Sequence, residues 1–126
     1  MDTNEVGRKL VEHCRKGQNL EAIDSLYSRD IVSVEAATGP DHSTTEMKGI
    51  DLVRKKTKEW GENNDIHSAA VEGPFPNKDR FAVIFKFEMT PKSGAMQGKR
   101  MTLHEVGIYT VRDSKIVKEE FFYDMG

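Results

Sequence analysis

The chain has 126 residues, 37% hydrophobic and 32% charged, and its 19 basic against 21 acidic side chains give a formal charge of −2. That length and balance suit a single folded domain over residues 1–126, with no room for a second core and no need of disulfides or metal to stay folded. The near-neutral charge excludes the basic footprint of a nucleic-acid binder, and apolar runs of only a few residues exclude a membrane-spanning helix.

The elements follow in chain order. Residues 1–20 carry charge at Asp2, Glu5, Arg8, Lys9, Glu12, Arg15 and Lys16, so they hold no signal-peptide core. Val6, Leu10, Val11 and Cys14 recur at helical spacing, and Gly17 stops the run. Asn19 offers a cap for a second short helix with Leu20, Ile23, Leu26 and Tyr27 on one face. After Asp30 the β-branched run 31–36 reads as a strand, and the breaker-rich segment 38–46 as a loop. A third helix starts near Gly49, with Ile50, Val53, Thr57 and Trp60 on its apolar side, and ends at Gly61 and Asn63-Asn64. Strands are expected at about 66–74, 79–90, 98–112 and 115–124, separated by turns at Pro76-Asn77-Lys78-Asp79, Pro91-Lys92-Ser93-Gly94 and Asp113-Ser114. Early helices followed by hairpin-joined strands predict an α+β fold with a mostly antiparallel sheet.

Several late strands are apolar on both faces. Phe81, Val83, Phe85, Phe87 and Met89 share one side while Ala82 and Ile84 begin the other; Val117, Phe121, Tyr123 and Met125 alternate against Ile116 and Phe122. One face can pack on the helices. The other needs its own cover, and a second copy of the chain is the simplest, so a homodimer through the outer sheet face is expected.

Three segments carry a family resemblance. Residues 26–35, Leu-Tyr-Ser-Arg-Asp-Ile-Val-Ser-Val-Glu, resemble the segment that leads into the first strand of the nuclear transport factor 2-like (SnoaL-like) superfamily. Met47-Lys48-Gly49-Ile50 resembles the start of that family's long helix. Residues 111–121 resemble its final hairpin, with Ser114 in place of the usual glycine. The match spans about 6–125, as in a small bacterial-type member. It implies the cystatin-like cone, in which three N-terminal helices pack on a curved sheet around a deep hydrophobic pocket, commonly as a dimer. Fold alone implies a pocket and not a reaction.

Acidic residues within apolar strands are the candidates for chemistry, because an apolar pocket raises a carboxyl pKa until it can give and take a proton near neutrality. Glu35 resembles in position the catalytic aspartate of the ketosteroid-isomerase-like branch; its alternative is a carboxylate in water at the mouth. Glu105 shares strand parity with Leu103, Gly107, Tyr109 and Val111, so Glu105 and Tyr109 are expected inside, the alternative being a salt bridge to Lys86 or Lys118. Glu105 also matches roughly the acid that meets the oxyanion in that branch. His67, opening the strand after the long helix, is a third candidate, as general base, orienting group or hydrogen-bonded structural residue. Glu120 and Asp124 parallel distantly the acid of the polyketide cyclase branch, or are solvated charges. Trp60, Phe85, Phe87 and Phe122 read as core and pocket lining, Tyr109 and Tyr123 as pocket hydroxyls, and Cys14 as a buried small hydrophobe. The isomerase branch has a helix-1 tyrosine where this chain has Leu10, which cannot donate a hydrogen bond, so steroid isomerisation is not expected unless Tyr109 or Tyr123 substitutes.

No phosphate loop, HExxH, paired CxxC or nucleophile elbow occurs, and His13, His42, His67 and His104 lack metal-ligand spacing, so no cofactor or metal is expected. The lone Cys14 cannot make an internal disulfide, which fits the cytoplasm. The expected function is binding of a small hydrophobic molecule, with cofactor-free acid/base chemistry of isomerase, cyclase or hydrolase type on it. The alternative is a non-catalytic, dimeric ligand-binding module. No nucleic-acid or membrane partner is expected.

Overall fold

The computed structural model describes residues 1–39 and 43–124. The expected loop over 38–46 lies outside them at Pro40, Asp41 and His42, as does Met125 of the last strand's alternation.

Helix α1 (Thr3–Arg15) starts at Asp2, whose side chain accepts from the Glu5 amide at 2.8 Å, and presents Val6, Leu10 and Val11 to the core. Gly17 turns the chain with φ 70°, a conformation that only glycine adopts without strain. Helix α2 (Asn19–Leu26) runs directly into strand β1 (Tyr27–Val34). Asn19 is thus its first residue and not its cap; Gln18 takes the cap position without a side-chain hydrogen bond. Tyr27 leaves the helix because it pairs with Ile116 across the sheet, and the strand begins there and not at Ile31. Within the expected loop a three-residue strand, β2 (Glu46–Lys48), pairs with β1 and buries Met47. Helix α3 (Ile50–Asn63) then crosses to the long strands β3 (Asn64–Asn77), β4 (Arg80–Pro91), β5 (Met101–Arg112) and β6 (Lys115–Phe122).

The strands form one six-stranded sheet in the order β2-β1-β6-β5-β4-β3, antiparallel except where β1 meets β6. Register shifts fall between Ile66 and Ser68, between Glu72 and Phe75, between Tyr27 and Val32, and between Thr110 and Val111. Such irregularities bend a strand and add twist, which suits a sheet that curls against three helices. The core lies in that concavity, where Val6, Leu10, Ile23, Ile31, Val53, Phe81, Val83 and Ile116 are fully or almost fully buried.

One glycine shapes the concave side. A Cβ on Gly107 would sit 2.8 Å from Tyr109 Cε2 and 3.0 Å from its hydroxyl, because the Tyr109 ring folds back over the gap that the glycine leaves. Gly107→Ala is therefore expected to displace that ring and cost about 1–3 kcal/mol, read from the urea midpoint. An unchanged midpoint would mean that the ring swings away freely.

The convex side of the sheet is partly apolar. Ile84, Val106 and Phe122 are directly opposite one another across β4, β5 and β6, and Ile84 and Phe122 are 38% and 54% exposed. Among the described residues, no helix is long and apolar enough to cross a membrane.

Candidate functional site

A cavity of about 380 Å³ opens between α3 and the concave sheet. Its walls are apolar: Leu10, Ile23, Trp60, Phe85, Phe87, Met89, Met101, Leu103 and Phe121 line it. Trp60 meets Phe87 edge-on at 5.2 Å between ring centres, and Phe85 stacks on Phe87 at 5.7 Å. The segment Ser93–Met96, in the connection from β4 to β5, borders it as well. Among the described residues, every charged group on the wall belongs to one of four side chains, Glu35, Lys56, Glu105 and Glu119.

Three of them form a network. Lys56, only 7% exposed, projects from α3 and donates to Glu35 Oε1 at 2.7 Å and to Ser33 Oγ at 2.8 Å, with Glu119 Oε2 at 3.5 Å. Glu119 is 2% exposed and accepts from Ser33 Oγ at 2.7 Å and from the Tyr27 hydroxyl. Tyr123 donates to the second oxygen of Glu35 at 2.9 Å. Burial alone would lower the Lys56 pKa, but Glu119 and Glu35 outweigh it and the net shift is upward. The Lys56 ammonium also lies 5.0 Å from the centre of the Phe121 ring. Burial, reinforced by the Glu119 charge, drives the Tyr27 and Tyr109 hydroxyls well above the ordinary tyrosine range, so both stay protonated donors. Cys14 is pushed up to about 12, by burial first and then by Glu119 and Glu105, and is an inert thiol.

Glu105 stands apart. Its carboxyl lines the cavity and, among the described residues, has no hydrogen-bond or ion-pair partner. Burial pushes its pKa up to about 8, with Glu35 and Glu119 adding to the rise and Lys56 opposing it. At neutral pH it is therefore mostly a carboxylic acid facing an apolar chamber.

Of the residues singled out from sequence, Glu35, Trp60, Phe85, Glu105, Tyr109 and Tyr123 all line this one cavity. Two do not. His67 is exposed on the edge strand β3, where its Nε2 lies 2.7 Å from Thr90 Oγ1, because β3 runs along the margin of the sheet and turns that side chain outward. Phe122 lies on the convex face; the inward ring is Phe121. Glu120, beside it, is 3.6 Å from Lys118, and Asp124 is exposed. Leu10 does line the cavity, so the hydroxyl donors there come from the tyrosines.

Sequence reasoning missed Tyr27, Ser33, Lys56 and Glu119. Lys56 had a signal: it falls three residues after Val53 and four before Trp60, in the middle of the apolar stripe of α3. Glu119 had one as well, sharing parity with Phe121 and Tyr123, but the register shift beside Val111 hid it by placing Ile116 on the same side.

The model of the SnoaL-like domain family matches residues 1–123. A crystal structure from Mesorhizobium loti, provisionally described as a SnoaL-like polyketide cyclase and carbohydrate phosphatase, is 39% identical, with a TM-score of 0.88 over 98% of this chain and 100% of that one. An NTF2-like protein from Burkholderia thailandensis superposes with TM-score 0.78 at 18% identity, over 98% of this chain and 92% of that one. A cystatin-like protein from Xanthomonas campestris gives 0.77 at 16%, over 98% and 91%. At such identities these two speak for the fold alone. No curated protein matches the chain. The family match across nearly the whole length, the 39% relative and the cone around a greasy, acid-bearing cavity agree: the chain belongs to the SnoaL-like family of the NTF2-like superfamily.

Proposed function

We propose that this protein binds a small, largely apolar molecule in the cone and moves a proton on it without a cofactor, with Glu105 as the group that gives and takes the proton. The observation that carries this reading is the unpaired Glu105 carboxyl in an apolar chamber, with its pKa raised to about 8. A group titrating near the working pH is present in both forms and can serve in both directions. As a carboxylate it removes a proton from carbon beside a carbonyl, the C–H pair moving into the new C=C bond and the carbonyl electrons onto oxygen. As an acid it returns the proton at another carbon. Tyr109 and Tyr123 supply neutral hydroxyls to the chamber, while Glu35, whose two oxygens are already engaged by Lys56 and Tyr123, serves to hold Lys56 and to keep Glu105 protonated.

A generic probe tests this. 5-Nitrobenzisoxazole fits an apolar chamber and opens when a base removes its ring proton: the C–H pair becomes the nitrile, the N–O bond breaks and a coloured phenolate leaves. The expected result is a rate that climbs with pH to a midpoint near 8, and a loss of 10²-fold or more in Glu105→Gln. Wild-type turnover no faster than buffer would instead favour the non-catalytic binding module, for which the cavity-facing Leu10 speaks.

The same reading includes a homodimer in the cytoplasm. Ile84 and Phe122 of the Ile84–Val106–Phe122 row are exposed, and Lys86, Lys118, Glu72 and Glu120 around it provide both signs of charge for a two-fold pairing. Sedimentation at micromolar concentration is expected to give a dimer, and Val106→Lys a monomer. A wild-type monomer would overturn the pairing.

A further inference from the structure

We infer that the ligand this cavity takes is an apolar organic cation, a tertiary or quaternary ammonium compound, whose charge rests beside Glu105 among Trp60, Phe85, Phe87 and Phe121. This deepens the reading above and rests on it for the cavity being a ligand site.

Charge arithmetic comes first. Among the described residues the cavity wall carries three carboxyl groups, Glu35, Glu105 and Glu119, against one ammonium, Lys56. Lys56 has three N–H donors and three oxygen neighbours, on Ser33, Glu35 and Glu119, so none is left for a ligand. An anionic ligand would thus meet described side chains of net charge −1, with no free cation among them to pair with. A neutral ligand brings no charge to set against the Glu105 carboxyl. A cation does, and beside walls this apolar the attraction of opposite charges is screened far less than in water.

The walls supply the rest. Phe85 is the direct cross-strand partner of Glu105, and Phe87 is next along β4, opposite Leu103. Directly opposed residues on neighbouring strands stand about 5 Å apart, so aromatic rings border the carboxyl itself. Ring faces attract an alkylammonium and exclude water around it. The Phe121 ring already accepts the Lys56 ammonium in this way.

Pairing with a cation requires Glu105 to ionise, so binding releases a proton. The groups that face Glu105 are Glu35 after β1, Lys56 on α3, Cys14 on α1, Tyr109 on its own strand, Glu119 on β6 and Tyr123 beyond it. Cys14 and the tyrosines, all shifted upward, do not titrate between pH 6 and 9, which leaves Glu105 as the group within that window whose shift is toward it.

Trp60, the single tryptophan, lines the cavity and reports occupancy by fluorescence. The probes are benzyltrimethylammonium, its neutral isostere neopentylbenzene and the anion 3-phenylpropanoate, each titrated at pH 8. The cation is expected to bind at least tenfold tighter than the neutral probe, and the anion not to bind. Affinity for the cation is expected to rise up to about tenfold per pH unit from 6 toward 8 and then level, as one-proton linkage requires. Glu105→Gln should flatten that rise; the pH series on the wild-type protein stands by itself should the variant not fold. Neutral binding equal to or tighter than cation binding overturns the ligand class and leaves the proton-transfer reading intact. A flat pH series overturns Glu105 as the anchor. Failure of all three probes to bind overturns both the ligand class and the cavity as a binding site.

Discussion

Lys56→Met is expected to lose about 3–5 kcal/mol of folding stability at pH 7, measured as a fall in the urea midpoint. Methionine keeps an unbranched apolar stem out to the ε carbon and drops only the ammonium, so the loss isolates the charge. In the native protein Lys56 stands between Glu35 at 2.7 Å and Glu119 at 3.5 Å, all three almost fully enclosed. Removing the ammonium leaves two carboxylates facing a methyl group, with, among the described residues, Glu119 supported by Ser33 and Tyr27 and Glu35 by Tyr123. An uncompensated buried charge is among the few single changes that cost this much. A fall of less than about 1 kcal/mol would show that the ammonium is not what holds the two carboxylates. Arg54 provides the control. Its pair with Asp24 is as short, 2.9 Å, but lies in water, so Arg54→Met should change the midpoint little.

The fold was legible because its signals are local and repeat. Helical spacing in 6–14 and 50–60, the stop at Gly17, and the four late apolar strands each declare themselves within ten residues or so, and their order matches a family pattern. What escaped was long-range. Tyr27 reads as the end of a helix until Ile116, 89 positions away in the sequence, is known to pair with it. The short strand at Glu46–Lys48 exists only because β1 offers it an edge. The site divides in the same way. Glu105 and Tyr109 were placed by strand parity, which holds along β5 because its pairing with β4 is unbroken from Met101 to Thr110. Parity failed on β6, where a register shift lets both Ile116 and Glu119 be buried, and it says nothing of His67 on an edge strand whose sides are both largely exposed. The Lys56–Glu119 network joins a helix to the last strand, and only the closed sheet brings its members together.

Glu105→Gln is expected to leave stability unchanged near pH 5 and to raise it by several kcal/mol at pH 9, on the order of 10 °C in Tm. In the folded chain burial holds the Glu105 pKa at about 8, against an ordinary value of 4.5. Between those values the native state keeps a proton that the unfolded chain has released. Native binding then exceeds unfolded binding by up to one proton, so stability falls as pH rises, by at most about 1.4 kcal/mol per pH unit, and levels off above 8. Glutamine has the same shape and no proton to lose, so this slope vanishes in the variant and the two melting curves diverge with pH. Parallel pH profiles for the two proteins would show that Glu105 is solvated and ordinary, and the acid/base reading would go with it. If the divergence is seen together with loss of proton transfer on the benzisoxazole, the chain carries at Glu105 a group that weakens the fold in order to work. A cavity wall selected for packing alone would have no use for such a group, since an apolar or amide side chain there is the more stable choice. The cost in stability is then itself the mark of a site that handles protons.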